Sequence, residues 1–308
     1  MPKYRIGCSG FLYDSWRGVL YPEDLPHKEW LAFYASKINS VELNVTFYRL
    51  LKKEAFDKWH RETPSDFSFV LKGSRFVTHI KKLKDVEMPL STFFNITTPL
   101  SKKLEVVLWQ LPPNLKVNLR SLEDFIEALK QYPVRHVFEF KNKNWLNKKV
   151  LKILSAANIA VCMSDWPDYA DEVPVTANFV YLHRLGEEGK YASNYTTEQL
   201  QKDAKRIKEY MKQGKDVYIF FNNDAFGYAP KNAMELKAML EKSLPKALKQ
   251  APEEKEAASK KRKPPKKKAV KKKPTIKVKT KKKKKAAAKR PTVKKPAKKS
   301  LKSKKKKR

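Results

Sequence analysis

The sequence is short of residues that staple, span or cradle. Cysteine occurs twice, at Cys8 and Cys162. A disulfide framework needs more cysteines and a secretory signal, so both read as buried thiols in apolar contexts. No apolar run approaches the ~18 residues of a membrane span, and the opening Met-Pro-Lys-Tyr-Arg-Ile has no apolar signal core. A cytoplasmic protein without a membrane span is expected. Glycine is scarce, at eight residues, and neither GxGxxG nor a P-loop occurs, which removes nucleotide binding through those motifs. The close metal spacings HxxxH and CxxC are also missing.

Acidic residues are absent from one region almost entirely. Residues 255–308 hold 30 of the 69 basic residues and one of the 32 acidic ones, Glu256. That region is lysine, alanine and proline without an aromatic residue, and it cannot bury enough apolar surface to fold alone. The expected organisation is a folded body at 1–245 and a linker with a disordered tail at 246–308. Repeats such as Lys-Lys-Lys-Pro look like linker-histone-like tails. A polyanion would condense the tail by counterion release, so nucleic acid is the leading partner, with an anionic membrane surface second. The contacts would be made by Lys266, Lys267, Lys268, Lys271, Lys272, Lys273, Lys281, Lys282, Lys283, Lys284 and Lys285. They would read phosphate rather than sequence, and in a bacterial cell the protein would sit on the nucleoid.

The body carries eight short apolar runs at 4–9, 40–50, 67–72, 104–110, 136–141, 159–165, 178–183 and 216–222. The run at 40–50 alternates, with Val41, Leu43 and Val45 on one side and Glu42, Asn44 and Thr46 on the other, which reads as a strand. Helical spacing covers 27–37, 53–62, 90–103 with a break near Pro99, 147–157 and 231–242. Ser121-Leu-Glu-Asp124 resembles a capping box, and Thr197 reads as the cap of a helix ended by Gly214. Alternating strands and helices over this length predict a (β/α)8 TIM barrel of the α/β class, with a doubly wound open sheet as the alternative.

In a parallel barrel every strand delivers its C-terminal end to one face, where sites are built. The ends here are Ser9, Glu42 with Asn44, Lys72, Gln110, Glu139 with Lys141, Asp165, His183 with Arg184, and Asn222 with Asn223. Thr78, His79 and Trp145 follow in the loops. Convergence of Glu42, Glu139 and Asp165 with Lys72 and Lys141 is expected. Lys72, His79, Glu139 and Asp165 are the candidates for acid–base work. Glu42, Asn44, Thr78, Gln110, Lys141, Trp145, His183, Asn222 and Asn223 are the candidates for holding a small anionic ligand. Glu42, Glu139, Asp165, His79 and His183 are of the N/O type that can take a divalent metal, although no spacing points to one.

Several separated motifs resemble the domain-of-unknown-function-72 family, the YecE-like proteins. They are Gly7-Cys-Ser-Gly10 with Tyr13, Trp16 and Tyr21-Pro22; Val41-Glu-Leu-Asn-Val-Thr-Phe-Tyr48; Phe69-Val-Leu-Lys72 with Thr78-His79; Gln110-Leu-Pro-Pro113; Glu139-Phe-Lys141 with Trp145; and Phe221-Asn-Asn-Asp224 with Tyr228-Ala229. The resemblance implies a TIM barrel with a polar pocket at the strand C-termini and no assigned reaction. A fold analogy to metal-dependent endonuclease IV-like and xylose isomerase-like enzymes implies a hydrolase acting on a phosphate-containing substrate as one alternative. The chain departs from the family where Lys141-Asn142 stands for Arg-His and His183-Arg184-Leu185-Gly186 stands for Arg-Phe-His-Gly. A guanidinium and two imidazoles are thereby lost.

Overall fold

Eight strands close on themselves in sequence order in the computed structural model, which describes residues 1–165, 171, 173–186 and 191–243. The strands are β1 (Tyr4–Ser9), β2 (Ser40–Leu43), β3 (Ser68–Lys72), β4 (Leu104–Leu111), β5 (Arg135–Phe140), β6 (Ala160–Ser164), β7 (Phe179–Arg184) and β8 (Asp216–Phe221). All neighbours are parallel, and β8 pairs back onto β1 through Tyr4↔Val217 to Cys8↔Phe221. This is a (β/α)8 barrel, as the strand and helix order predicts.

The helices are α1 (Trp30–Lys37), α2 (Val45–Tyr48), α3 (Lys53–Arg61), α4 (Glu87–Thr97), α5 (Leu119–Leu129), α6 (Lys148–Ala156), α7 (Thr197–Lys212) and α8 (Tyr228–Ser243). Two caps differ from the sequence reading by a few residues. Asn118 caps α5 by accepting from the Ser121 N–H, so Ser121 lies in the first turn and is not the cap. Thr196, paired with Gln199 in a reciprocal capping box, starts α7 one residue before Thr197. Strand β2 stops at Leu43, and Val45–Tyr48 form a helical turn where continued alternation suggested strand. Alternation in 40–50 persists through a change of backbone because Val41 and Leu43 pack outward while Phe47 is buried in the next turn.

Two apolar layers hold the barrel. Outward side chains such as Val41, Leu71, Val107, Trp109 and Phe138 pack under the helices. The lumen is filled by Val70, Val106, Leu108 and Val137 from one side and Phe179, Tyr181, Tyr218 and Phe220 from the other. Small residues accommodate those rings. A Cβ on Gly7 would lie 2.3 Å from the Ser40 carbonyl oxygen and 2.7 Å from the Phe220 ring. Each such side chain taken out of water contributes roughly 1.5–3 kcal/mol.

The N-terminal mouth is sealed by charge. Between β3 and β4 the register moves from Phe69↔Leu104 to Val70↔Val106, which leaves Glu105 as the extra residue of a β-bulge. Glu105 accepts from Arg5, from Lys3 Nζ at 3.0 Å and from the Tyr218 hydroxyl at 2.6 Å. Arg135 donates to that hydroxyl at 2.8 Å and pairs with Asp216 at 2.7 Å. Lys3 and Arg5 stand 102 and 100 residues from Glu105 in sequence, so no spacing rule links these charges.

Candidate functional site

The opposite mouth lies where the strands end. Because side chains alternate along a strand, the residues that continue the lumen faces at this end form one ring. They are Ser9, Glu42, Lys72, Gln110, Glu139, Ser164 and His183, one from each of β1 to β7, and Asn222 immediately after β8. An apolar lumen is thus closed at the top by polar groups only.

Glu42 is fully buried at 0 % exposure. One oxygen accepts from Ser9 Oγ at 2.8 Å, and the other accepts from His183 Nε2 at 2.7 Å and from the Tyr181 hydroxyl. Glu139 accepts from Gln110 Nε2 at 2.6 Å and pairs with Lys141 Nζ at 2.7 Å. His183 sits between the two carboxylates, with Nδ1 3.7 Å from Glu139.

The charge states follow from these contacts. Burial opposes ionisation of both carboxylates. His183 and Lys72 nevertheless hold Glu42 below its ordinary value, and Lys141, His183 and Lys72 hold Glu139 well below. Burial pulls His183 down, but Cys162, Glu42 and Glu139 raise it well above the ordinary histidine value. Cys162 is itself raised by burial, so at neutral pH it stays a thiol and the two carboxylates carry the effect. Burial works against Lys141 as well, and Glu139 raises it. At neutral pH the mouth therefore holds two carboxylates, an imidazolium and two ammonium groups.

Lys72 differs from the other cations here. Its ammonium lies 5.0 Å from the centre of the Phe47 ring, and among the described residues no carboxylate comes within 4 Å of it. His79 stands on the same side, edge-on to Phe47 with ring centres 5.0 Å apart, on the one-turn π-helix Phe76–Ile80. Its Nδ1 is 2.8 Å from Thr78 Oγ1. Burial, then the Arg75 and Lys72 charges, push its imidazole below the ordinary value, so it is neutral at pH 7. Asn44 leaves its side-chain oxygen buried and without a partner at the foot of α2.

The remaining predicted residues go elsewhere. Asp165 does not join Glu42 and Glu139: its carboxylate accepts from the Leu185 N–H at 2.8 Å and from the Tyr195 hydroxyl. Arg184, the outward neighbour of His183, is buried against Asp203 on α7 and Asp171. Trp145 is buried, stacked on Phe140 at 5.5 Å, and gives its N–H to the Leu115 carbonyl. Asn223 donates to Ser193 O at 2.8 Å and Asn232 Oδ1 at 2.9 Å. Asn222 continues the lumen face of Tyr218 and Phe220. Of the two residues that complete the Glu42 shell, Ser9 is among the strand ends named from the sequence and Tyr181 is not. Tyr181 was legible in principle, being two residues before His183 on the same strand face. The eleven tail lysines from Lys266 to Lys285 lie outside the described residues.

Among the described residues, no group of three His, Cys, Asp or Glu side chains has the geometry to hold a metal ion. Glu42 and Glu139 reach the same imidazole and are each engaged by cations or hydroxyls. Among the described residues, no helix is long and apolar enough to cross a membrane.

Comparison with known proteins fits the barrel and the motifs. The UPF0759 protein YunF of Bacillus subtilis is 26% identical over 271 residues, covering 77% of this chain and 94% of YunF. The UPF0759 protein YecE of Escherichia coli is 28% identical over 111 residues, 33% of this chain and 41% of that one. A crystal structure of a DUF72 family protein from Thermotoga maritima superposes with a TM-score of 0.69 at 29% identity, covering 78% of this chain and 99% of that chain. Residues 5–257 match the family described as "Protein of unknown function DUF72", and the chain belongs to that family.

Proposed function

We propose that the C-terminal mouth binds a small anionic ligand carrying a phosphate or carboxylate group, and that the lysine-rich tail holds the protein on nucleic acid. The observation that carries the first part is the Lys72 ammonium, which among the described residues has no carboxylate within 4 Å. The two carboxylates of the mouth are already matched by His183 and Lys141, so Lys72 is the cation in surplus. A surplus charge beside a low-dielectric lumen attracts an anion more strongly than it would in water. Gln110 and Asn222 stand on the same ring and can orient a ligand. The tail reading is supported by 30 basic residues in 54, and such a tether raises the local concentration of any phosphate-bearing ligand. It would keep the protein cytoplasmic, on the nucleoid in a bacterial cell.

A second reading has one observation in its favour. His79 is neutral and half-exposed next to Lys72, which is the state a general base needs. Hydrolysis of a phosphate-containing substrate would then use Lys72 to hold the phosphoryl oxygens and His79 to take a proton from water.

Calorimetric titration of the full chain with inorganic phosphate, a sugar phosphate and a dicarboxylate tests the mouth. Binding weakened at least about ten-fold by Lys72→Met is expected; equal binding by both proteins overturns the assignment. For the tail, log affinity for random-sequence duplex should fall steeply with log salt, as expected when many counterions are released. A shallow slope, equivalent to two ions or fewer, overturns it.

A further inference from the structure

We infer that the barrel itself has a groove for single-stranded nucleic acid, built by the turns that follow β2 and β3. The inference extends the anion reading of the mouth, and it is independent of the tail.

Apolar exposure is concentrated at this place. Ten large apolar side chains are exposed among the described residues, and five of them line one groove of about 490 Å³: Tyr48 at 69 %, Leu50 at 54 %, Phe76 at 46 %, Ile80 at 58 % and Met88 at 78 %. Scattered exposed apolar residues are ordinary, but a cluster marks a contact surface. Two of the five are aromatic rings, one on each turn. An arginine adjoins each ring in sequence and in the groove wall, Arg49 beside Tyr48 and Arg75 beside Phe76.

Charge selects the occupant. Residues 43–53 and 67–84 contain no acidic residue and eight basic ones. Among the described residues, Arg49, Lys52, Arg75, Lys81, Lys82 and Lys84 have no ion-pair partner within 4 Å. The nearest acids in sequence are Glu54 on α3, and Asp85 and Glu87 ahead of Met88. An apolar protein segment would leave those cations unmatched. A nucleic acid strand matches both features, because its phosphates meet the arginines and its bases offer π-faces to Tyr48 and Phe76. Duplex bases are stacked on one another and cannot supply those faces, so the groove favours an unpaired strand.

The two turns that line the groove also reach toward the mouth through residues beside the lining ones. The turn that exposes Tyr48 buries Phe47, and the turn that exposes Phe76 and Ile80 carries His79 against Phe47. Phe47 lies under Lys72. A strand stacked on the two outer rings would therefore run along the same wall that bears the surplus cation.

The test uses the full chain, with a fluorescent twelve-residue oligothymidylate and the matching duplex titrated across a range of salt. The tail predicts a steep salt slope for both forms. The groove predicts a single-strand preference that survives at salt high enough to remove most of the tail's contribution. Tyr48→Ala with Phe76→Ala should reduce that preference at least about ten-fold while leaving the salt slope unchanged. Arg49→Gln with Arg75→Gln should lower the slope by about two. All four side chains are exposed, so the thermal midpoint should stay put, and the arginine pair gives an independent answer if the aromatic pair does not fold. A steep slope without single-strand preference overturns the groove and leaves the tail standing. A preference without a steep slope does the reverse. A preference unchanged in both double variants overturns the groove.

Discussion

At the N-terminal mouth of the barrel, Glu105 and Asp216 face Lys3, Arg5 and Arg135. At the C-terminal mouth, Glu42 and Glu139 face His183, Lys141 and Lys72. Among the described residues the inventories match, two carboxylates to three cations, but the wiring does not. Every cation of the lower mouth is within 3.0 Å of a carboxylate oxygen, and a tyrosine hydroxyl bridges the two pairs. The upper mouth joins its carboxylates through a titratable imidazole and, among the described residues, leaves Lys72 with no carboxylate within 4 Å; each mouth also holds a buried polar atom without a partner, Asn44 Oδ1 above and Arg5 Nε below. A closed network of permanent charges fastens a structure, whereas an open one with spare groups has capacity for a ligand. Burial alone would not separate the two, since both are largely withdrawn from water.

The difference can be broken most sharply at the carboxylates. Glu105→Gln should lose roughly 3–5 kcal/mol, because Arg5 cannot shed its proton and is left as a buried unpaired charge. Glu42→Gln should lose only about 1–2 kcal/mol, because the amide still accepts hydrogen bonds and His183 can become neutral. Urea denaturation of both variants measures the gap; equal losses would mean that the mouths are alike.

The next effect is on pH. The folded value of His183 is raised, so its contribution is complete below pH 6.5 and is lost as pH rises through the folded value, which lies well above that. Glu42, Glu139 and Glu105 are lowered, so theirs is complete above about pH 4.5 and is lost as pH falls through their folded values. Acid destabilisation therefore draws on both mouths, and loss on the alkaline side of neutrality comes from the upper one. Between pH 6 and 9, wild-type stability should decline by up to about 1.4 kcal/mol per unit from this proton. In His183→Gln that decline should disappear. An identical decline in the variant would show that His183 is not held charged.

A smaller effect is expected at Lys72. Lys72→Met should cost about 1 kcal/mol or less, since no ion pair within 4 Å is broken and only the longer-range attraction to Glu42 and Glu139 is lost, while the phosphate affinity of the mouth falls about ten-fold or more. A large stability loss would place Lys72 in a hidden pair and erase the contrast between the two networks. Smallest of all is His79→Gln, half-exposed and bonded only to Thr78. Its stability should change by less than about 0.5 kcal/mol, and any turnover of a phosphate ester measured in steady state should be lost.

Most of the barrel was legible because its signals are local. Eight apolar runs, alternation around Glu42 and the spacing of Trp30, Tyr34 and Ile38 all arise within one element. Boundaries shifted where two principles competed, as at 44–48, where alternation continued into a helical turn. The upper mouth was partly legible: the rule that sites sit at strand ends collected Glu42, Lys72, Gln110, Glu139 and His183 onto one ring. It also collected Asp165, because a strand end does not reveal which way its last side chains turn. Asp165 follows the lumen-facing Ser164 and so turns outward to Tyr195.

The sequence alone determined the family, the eight-stranded order and a tail whose charge has no acidic counterweight, since each is written in composition or short spacing. Tertiary structure decided how the charges pair. Glu42 and His183 are 141 residues apart, and Lys3 meets Glu105 across 102. Only closure of the barrel, with β8 hydrogen-bonded to β1, fixes which distant strands share a level and therefore which cation is left over. The physical reason is that ion pairing depends on distances of a few ångströms between side chains whose positions no local pattern encodes.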